Sequence, residues 1–410
     1  MLQRSVRGIS LPAVAILLMV MCVGCGSDNN AGSAPGAPPG NNPPPGGGGN
    51  VGAPTFLYVG NLGDGTISGY RVETNGTLSA LPMSPFSTQA VGFTLDADEA
   101  GRFLFSSGPG MGAFAIDGET GVLSAIAGMP VAVVGFTETV KVHPSGGFVY
   151  VSDVNGRQVF GFAVDSTIGA LSAVPGSPSA VGGTNAFPFG IAIHGSGRFL
   201  YTANAEANDI SGFAIDASTG SLSAVAGSPF GVGQSPLFCP PPTNFCGPSV
   251  AAAGDLLYQV DPLAPGAVAG FRIDLNTGAL IALPGSPFTN PAPNTTGATG
   301  IAVAPSGNFL FIVNNGSIHS RIPAVQSSVS VFQLDPATGA LGPVPGSPFA
   351  AGMGSLRAAI SRNGRFLFVT NIDDDTVSAY AVDGSTGVLT AVPGSPFRAG
   401  HQPAGIAIVR

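Results

Sequence analysis

Ionisable side chains are scarce enough in this chain to be weighed one by one: 22 Asp and Glu, 14 Lys and Arg, and 4 His among 410 residues. Glu138 and Arg357 stand out. They lie in Thr137-Glu138-Thr139 and Ser355-Leu356-Arg357, where equivalent segments elsewhere carry Pro, Phe, Gly or Thr. A charge in so apolar a setting requires a partner or a purpose; a structural ion pair or an exposed loop charge are the plain alternatives. His401, in Gly400-His401-Gln402-Pro403, precedes a segment of the same kind. Arg157, His319 and Arg321 fall in polar connections and are candidate binding residues. Asp373-Asp374-Asp375 offers three carboxylates, but Ca²⁺ takes six to eight oxygens and three adjacent carboxylates cannot all point at one ion. A solvated turn is the expectation there. His143 (HPSGG) and His194 (HGSGR) recur as turn punctuation, a structural role. The chain has no Gly-x-Ser-x-Gly elbow, no His-Glu-x-x-His and no phosphate-cradling loop between strand and helix. No cofactor and no metal site is expected.

The elements that must position these residues come from a repeat. One full copy reads GIAIHGSGRFLYTANAEANDISGFAIDASTGSLSAVAGSPF, residues 190–230. It supplies four short strands: GIAI-like, FLYTAN-like, ISGFAID-like and LSAV-like. Repeats of this length with several strands each indicate a propeller blade. Second strands start near Phe56, Phe103, Phe148, Phe199, Leu256, Phe309 and Phe366. First strands fall near Phe93–Leu95, Thr139–Val142, Gly190–Ile193, Ser249–Ala252, Gly300–Val303, Arg357–Ile360 and Gly405–Ile408. Both series number seven, but they are displaced by one blade. The earliest strand lacks a first-strand neighbour and the latest lacks a successor, so pairing them closes a ring. Closure removes the exposed sheet edges that an open array would leave. The expected fold is therefore all-β, a seven-bladed β-propeller of four-stranded blades. Turns of the type Asp216-Ala-Ser-Thr-Gly220 join third strand to fourth, Asp bonding the turn backbone and Gly supplying positive φ. The Phe of each Pro-Gly-Ser-Pro-Phe ending should fold back between blades. In such a ring Glu138 and Arg357 sit at the entry of inner strands and can point at the central channel. The loops on that same face carry Asp64, Arg157, Glu206, Asp209, segments 231–247 and 314–327, Asp373–Asp375 and His401, and insertions of this kind gather on binding faces.

Composition bounds the rest. A net charge of −8 with a single lysine, Lys141, provides no basic stripe for phosphate neutralisation, which excludes nucleic acid as a partner. Arg4 and Arg7 precede an apolar run, Ile9 to Val23, too short for an ordinary spanning helix; this is a processing signal, residues 1–24. Its end, Cys22-Val23-Gly24-Cys25-Gly26-Ser27, resembles a bacterial lipoprotein lipobox with Cys25 as the lipid-modified residue. With no Asp after Cys25, the resemblance implies an exported protein anchored at the outer membrane or cell surface. Residues 25–52 hold mainly Gly, Pro, Asn, Ser and Ala, too little apolar surface to fold. They read as a tether spanning ~30 Å if coil-like, with the propeller over 53–410. An exported compartment permits disulfides, so Cys239 and Cys246 are expected to pair across a Pro-rich loop.

The GIAxxPSGxFLYxxN-like strand pair, best expressed in Gly300–Phe311 and Phe366–Asn371, together with the SxxxFxID-like third strand and TGxL turn, resembles the lactonase family of seven-bladed propellers. That family includes 6-phosphogluconolactonase-like and carboxymuconate-cyclase-like proteins, and the resemblance covers about residues 55–410. It implies His, Glu and Arg around the channel mouth, whose positional analogues here are Glu138, Arg357 and His401. Two functions follow from it. One is an envelope module binding a small lactone, a glycan or a protein on its loop-rich face; the other is hydrolysis of a cyclic ester, with Glu138 or His401 activating water and Arg357 stabilising the oxyanion. The chain lacks the dense Arg and His set expected for a phosphorylated sugar acid. A monomer is expected.

Overall fold

The structure is a computed structural model, and it describes residues 54–88, 94–131, 133, 135–233, 247–262, 266–292, 297–316 and 326–409. These form seven antiparallel sheets. The first blade takes its inner strand, Pro403–Val409, from the far end of the chain, followed outward by Thr55–Asn61, Thr66–Val72 and Leu78–Ala80. Phe56 pairs with Val409, Leu57 with Ile408 and Tyr58 with Ala407, so the ring closes as the displaced repeat predicts. The remaining inner strands are Leu95–Ala97, Thr137–Val142, Ala186–Ile193, Ser249–Ala253, Gly297–Val303 and Ser355–Ile360, in blades 2 to 7. Each touches the next in cyclic order, the seventh returning to the first. Each also ends its own sheet, so its free edge faces the axis.

Local chemistry explains the blade. Asp117 Oδ1 accepts from the Glu119 and Thr120 amides and from Thr120 Oγ1, and Gly121 follows at φ 74°. The same Asp cradle recurs at Asp216, Asp274, Asp335 and Asp383. The Gly-Ser-Pro-Phe ending does more than its sequence suggests. Its Ser hydroxyl accepts from the middle of the third strand, as Ser228 Oγ does from the Gly212 amide at 2.9 Å. The following residues then pair with that strand's start, adding a fifth strand two residues long in six blades. A Cβ on Gly212 would come within 2.9 Å of the Val225 side chain, whereas Val331 and Ala379 hold the equivalent position in blades 6 and 7. In blade 2 a single bridge, Met111 to Val131, takes the place of the fifth strand.

The cores lie between blades. Tyr58, Tyr150, Tyr201 and Tyr258 are fully buried, and each hydroxyl donates to a turn carbonyl of the next blade, Gly121, Gly220, Gly278 and Gly339. Burial raises the last three phenols. On the face of the inner-to-second turns, Arg71, Arg102 and Arg198 stack on Phe56, Phe103 and Phe199 and donate to carbonyls one blade on. Much of the chain's small cationic complement is thus committed to holding blades together.

Candidate functional site

Most inner strands carry a register irregularity near their entry. A bulge re-aims the peptide beside it, and here the re-aimed carbonyls accept hydroxyl bonds from the preceding blade. Glu138 O accepts from Thr94 Oγ1 at 3.0 Å and Ser107 Oγ at 2.6 Å. Phe189 O accepts from Ser152, Thr299 O from Ser249, and Ala404 O from Thr370. The backbone around the channel is therefore pinned from blade to blade.

On this frame Glu138 of blade 3 meets Arg357 of blade 7. Blades 3 and 7 face each other across a seven-membered ring, so the contact spans the axis. Arg357 Nη2 lies 2.7 Å from Glu138 Oε1, and Nη1 donates to Thr299 O of blade 6. The Glu138 side chain is 2% exposed and that of Arg357 20%. Burial pushes the Glu138 carboxyl up to about 7, and would push it further without the opposing Arg357 charge. Its second oxygen, Oε2, is buried with no hydrogen-bond partner. A carboxylate near neutrality with one oxygen uncommitted is the arrangement of a general base.

Arg357 also lines a cavity of about 110 Å³ together with Thr94, Thr139, Lys141 and Ser249. This cavity shares Lys141, Leu95, Ile191, Val250 and Ile406 with a wider one of about 400 Å³ nearer the inner-to-second turns, so the two adjoin along the axis. In the wider part Lys141 Nζ lies 3.5 Å from Asp96 Oδ2, which also accepts from the Val142 amide at 2.9 Å. The sequence reading passes over this pair, although the repeat holds its signal: Lys141 and Asp96 occupy a register position that is Ala in the five other blades.

His401 stands apart from the Glu138–Arg357 pair. Its side chain is 60% exposed on the loop face, with Nδ1 3.1 Å from Asp375 Oδ1 and its amide bonded to Asp64. Arg157 stacks on Phe187, 4.7 Å from the ring centroid, at the start of the blade 4 inner strand. Asp374 accepts from the Met353 amide and Asp375 from the Gln402 amide, so these carboxylates cap separate loops. Among the described residues no group of three His, Cys, Asp or Glu could hold a metal ion. His143 and His194 bond their own turns through Ser145 and Ser196. Cys25, Cys239, Cys246, His319 and Arg321 lie outside the described residues.

Comparison with known proteins agrees with this architecture. Among curated proteins no relative matches this chain. Among solved structures, the periplasmic gluconolactonase of Pseudomonas aeruginosa superposes with TM-score 0.67 at 19% identity, over 87% of this chain and 99% of that one. Two structures of putative 6-phosphogluconolactonases, from Bacteroides uniformis and Bacteroides fragilis, give TM-scores of 0.70 and 0.68. Their identities are 18% and 19%; they cover 87% and 89% of this chain, and 100% of each is matched. At these identities the likeness is one of fold. The family model described as lactonase, 7-bladed beta-propeller, matches residues 111–235 and 249–402. A closed ring of seven blades, and a family match running through most of them, make this chain a member of the lactonase family of seven-bladed β-propellers.

Proposed function

We propose that this propeller opens a lactone ring in its axial channel. The observation that carries the reading is the buried Glu138–Arg357 pair with its unbonded Oε2. The lactone carbonyl oxygen is received by Arg357, whose guanidinium has five donors and already lines the cavity. As Arg357 turns toward substrate, water reaches Glu138 Oε2, which takes its proton while the hydroxide oxygen bonds to the carbonyl carbon. Arg357 stabilises the oxyanion, a contribution worth ~10²–10³ in rate for a well-placed donor. Collapse breaks the ring C–O bond, and the proton held on Glu138 passes to the leaving alkoxide, giving a hydroxy acid. No lactone is singled out by these residues.

A second reading is favoured by the position of His401. Its pairing with exposed Asp375 places it on the loop face rather than at the pair. On this reading the protein is an envelope module that binds a glycan, protein or small lactone there, with Arg157, His319 and Arg321 as further contacts. Both readings place the protein outside the cytoplasm, lipid-anchored through Cys25.

The test is acid release from sugar, dicarboxylate and acyl lactones by purified protein and by Glu138→Gln, Arg357→Ala and His401→Ala. Hydrolysis predicts a loss of ~10²-fold or more for the first two, with their folded state verified by circular dichroism. His401→Ala should stay within about twofold, as expected for an exposed pair. Absence of turnover on every lactone, or turnover indifferent to Glu138→Gln, refutes the mechanism and leaves the binding module.

A further inference from the structure

We propose that Thr94 is the positioning residue of Glu138, its hydroxyl gripping the inner-strand bulge of blade 3 and so fixing where the carboxyl stands. The strand registers align one position at the entry of the inner strands. It is glycine in three blades, Gly190, Gly300 and Gly405, but Thr94 in blade 2, Ser249 in blade 5 and Arg357 in blade 7. The glycines show where a side chain at this position points. A Cβ on Gly190 would lie 2.9 Å from Pro248 O, and one on Gly300 2.6 Å from Leu356 O. Each is a carbonyl at the inner-strand entry of the next blade. Thr94 aims its hydroxyl the same way and reaches the Glu138 carbonyl at 3.0 Å. Ser249 donates likewise to Thr299 O at 2.8 Å, the carbonyl that also takes Arg357 Nη1.

The grip on Glu138 is the fuller of the two. Blade 3 shifts register between the pairs Val151–Val140 and Asp153–Thr137, and a bulge leaves its extra residue outside the ladder. Thr94 Oγ1 bonds on both sides of that gap, donating to Glu138 O and accepting from the Val140 amide at 2.8 Å. Ser107 Oγ adds a second donation to Glu138 O at 2.6 Å and accepts from the Thr94 amide at 3.1 Å. By contrast, Phe189 O and Ala404 O take one hydroxyl each. A threonine hydroxyl has a single proton to donate, and here Glu138 O receives it. Thr94 lines the cavity beside Arg357, yet it acts on the reaction through Glu138 and not on substrate.

With its peptide fixed, the Glu138 side chain is held against Arg357, 2% exposed and with Oε2 unbonded. Without the Thr94 hydroxyl the Val140 amide loses its partner, a cost the bulge relieves by turning toward channel water. Water that reaches the carboxyl makes its charged form less costly, and its raised hold on a proton declines toward the ordinary carboxylate range. The clamp rests on the catalytic reading only where turnover is the readout; holding the carboxyl is a property of the fold.

Full-length Thr94→Val and Thr94→Ser, each verified as folded by circular dichroism, are compared with wild type and Glu138→Gln in two measurements. The first takes urea midpoints from pH 4.5 to 7, between the ordinary and the folded value of the Glu138 carboxyl. Wild-type stability falls across this window because the native state keeps the proton longer. Relative to Glu138→Gln, Thr94→Val should lose about half or more of that fall, and Thr94→Ser should keep most of it. Ser107→Ala, which removes the other hydroxyl on the same carbonyl, should act in the same direction and serves if Thr94→Val does not fold. The second measurement uses the lactone that wild type turns over fastest. Thr94→Val should lower kcat ~10-fold or more with KM within about twofold, and move the acid limb of the pH–rate profile to lower pH. Thr94→Ser should restore both. A wild-type pH–stability profile in Thr94→Val overturns the proposal whether or not lactones are hydrolysed, as does turnover indifferent to that variant. A diminished fall, with no lactone turned over by any of the proteins, upholds the clamp and refutes catalysis instead.

Discussion

Replacing Glu138 by Gln should change the way stability responds to pH, and the structure sets the sign and size. The carboxyl moves from an ordinary 4.5 to about 7 on folding because burial disfavours its charged form. Between those values the unfolded chain has released this proton while the folded chain still holds it. The native state therefore binds more protons, and stability falls as pH rises through the window, by ~1.4 kcal/mol per unit. The accumulated loss from pH 4.5 to 7 is about 3 kcal/mol, with no further change from this group above it. Gln cannot titrate, so the variant lacks the loss. Other carboxylates cancel in the comparison. Asp117, Asp216, Asp274, Asp335 and Asp383 are held low by turn hydrogen bonds, and Asp209 is raised by burial, in both proteins alike. Urea midpoints for both proteins, taken in steps from about pH 4.5 to 8.5, give the difference directly. Arg357→Met should extend the falling window above pH 7, because it removes the charge that opposes the upward shift. Parallel pH profiles for the wild type and Glu138→Gln would refute the burial argument.

Two further outcomes follow, one from closure and one from the proposed lipid anchor. Deleting residues 404–410 removes most of the strand that pairs with Phe56–Asn61, and loss of the cooperative unfolding transition is expected; an equally stable truncated protein would contradict a closed ring. Cys25→Ser should move the protein from the membrane to the soluble fraction of a bacterial host, and unchanged fractionation would count against lipid anchoring.

Blade number and closure are legible from the chain because both depend on local, repeated chemistry. The Asp-x-x-Thr-Gly turns and the Phe-Leu-Tyr-like strands recur, and their displacement by one blade leaves a single way to complete the first sheet. The meeting of Glu138 and Arg357 is half legible. The repeat places both at inner-strand entries, but whether two such side chains meet depends on the ring's diameter and on which blades face one another. His401 illustrates the limit. Sequence places it before an inner strand like the other two, yet Asp375, from the turn between two strands of blade 7, holds it on the outer surface. The fifth strand is hidden for a similar reason, since its Ser bonds a third-strand amide about sixteen residues away, as Ser228 does at Gly212. The Lys141–Asp96 pair is in principle readable, but only once strand registers align the alanines that make it an exception.

The pairing of Pro403–Val409 with Thr55–Asn61 also orders events in time. A chain made from its amino end delivers the second strand of the first blade long before the inner strand that belongs to it. Until then Thr55–Asn61 presents a bare edge, and blade 7 has no neighbour on one side. The last-delivered strand acts as a clasp, and a ring whose clasp arrives last stays open until Pro403–Val409 has been made. Contacts so distant along the chain form slowly, which further delays locking. The ring thus locks only after all its other strands have been laid down, and its stability as a whole waits on its final segment.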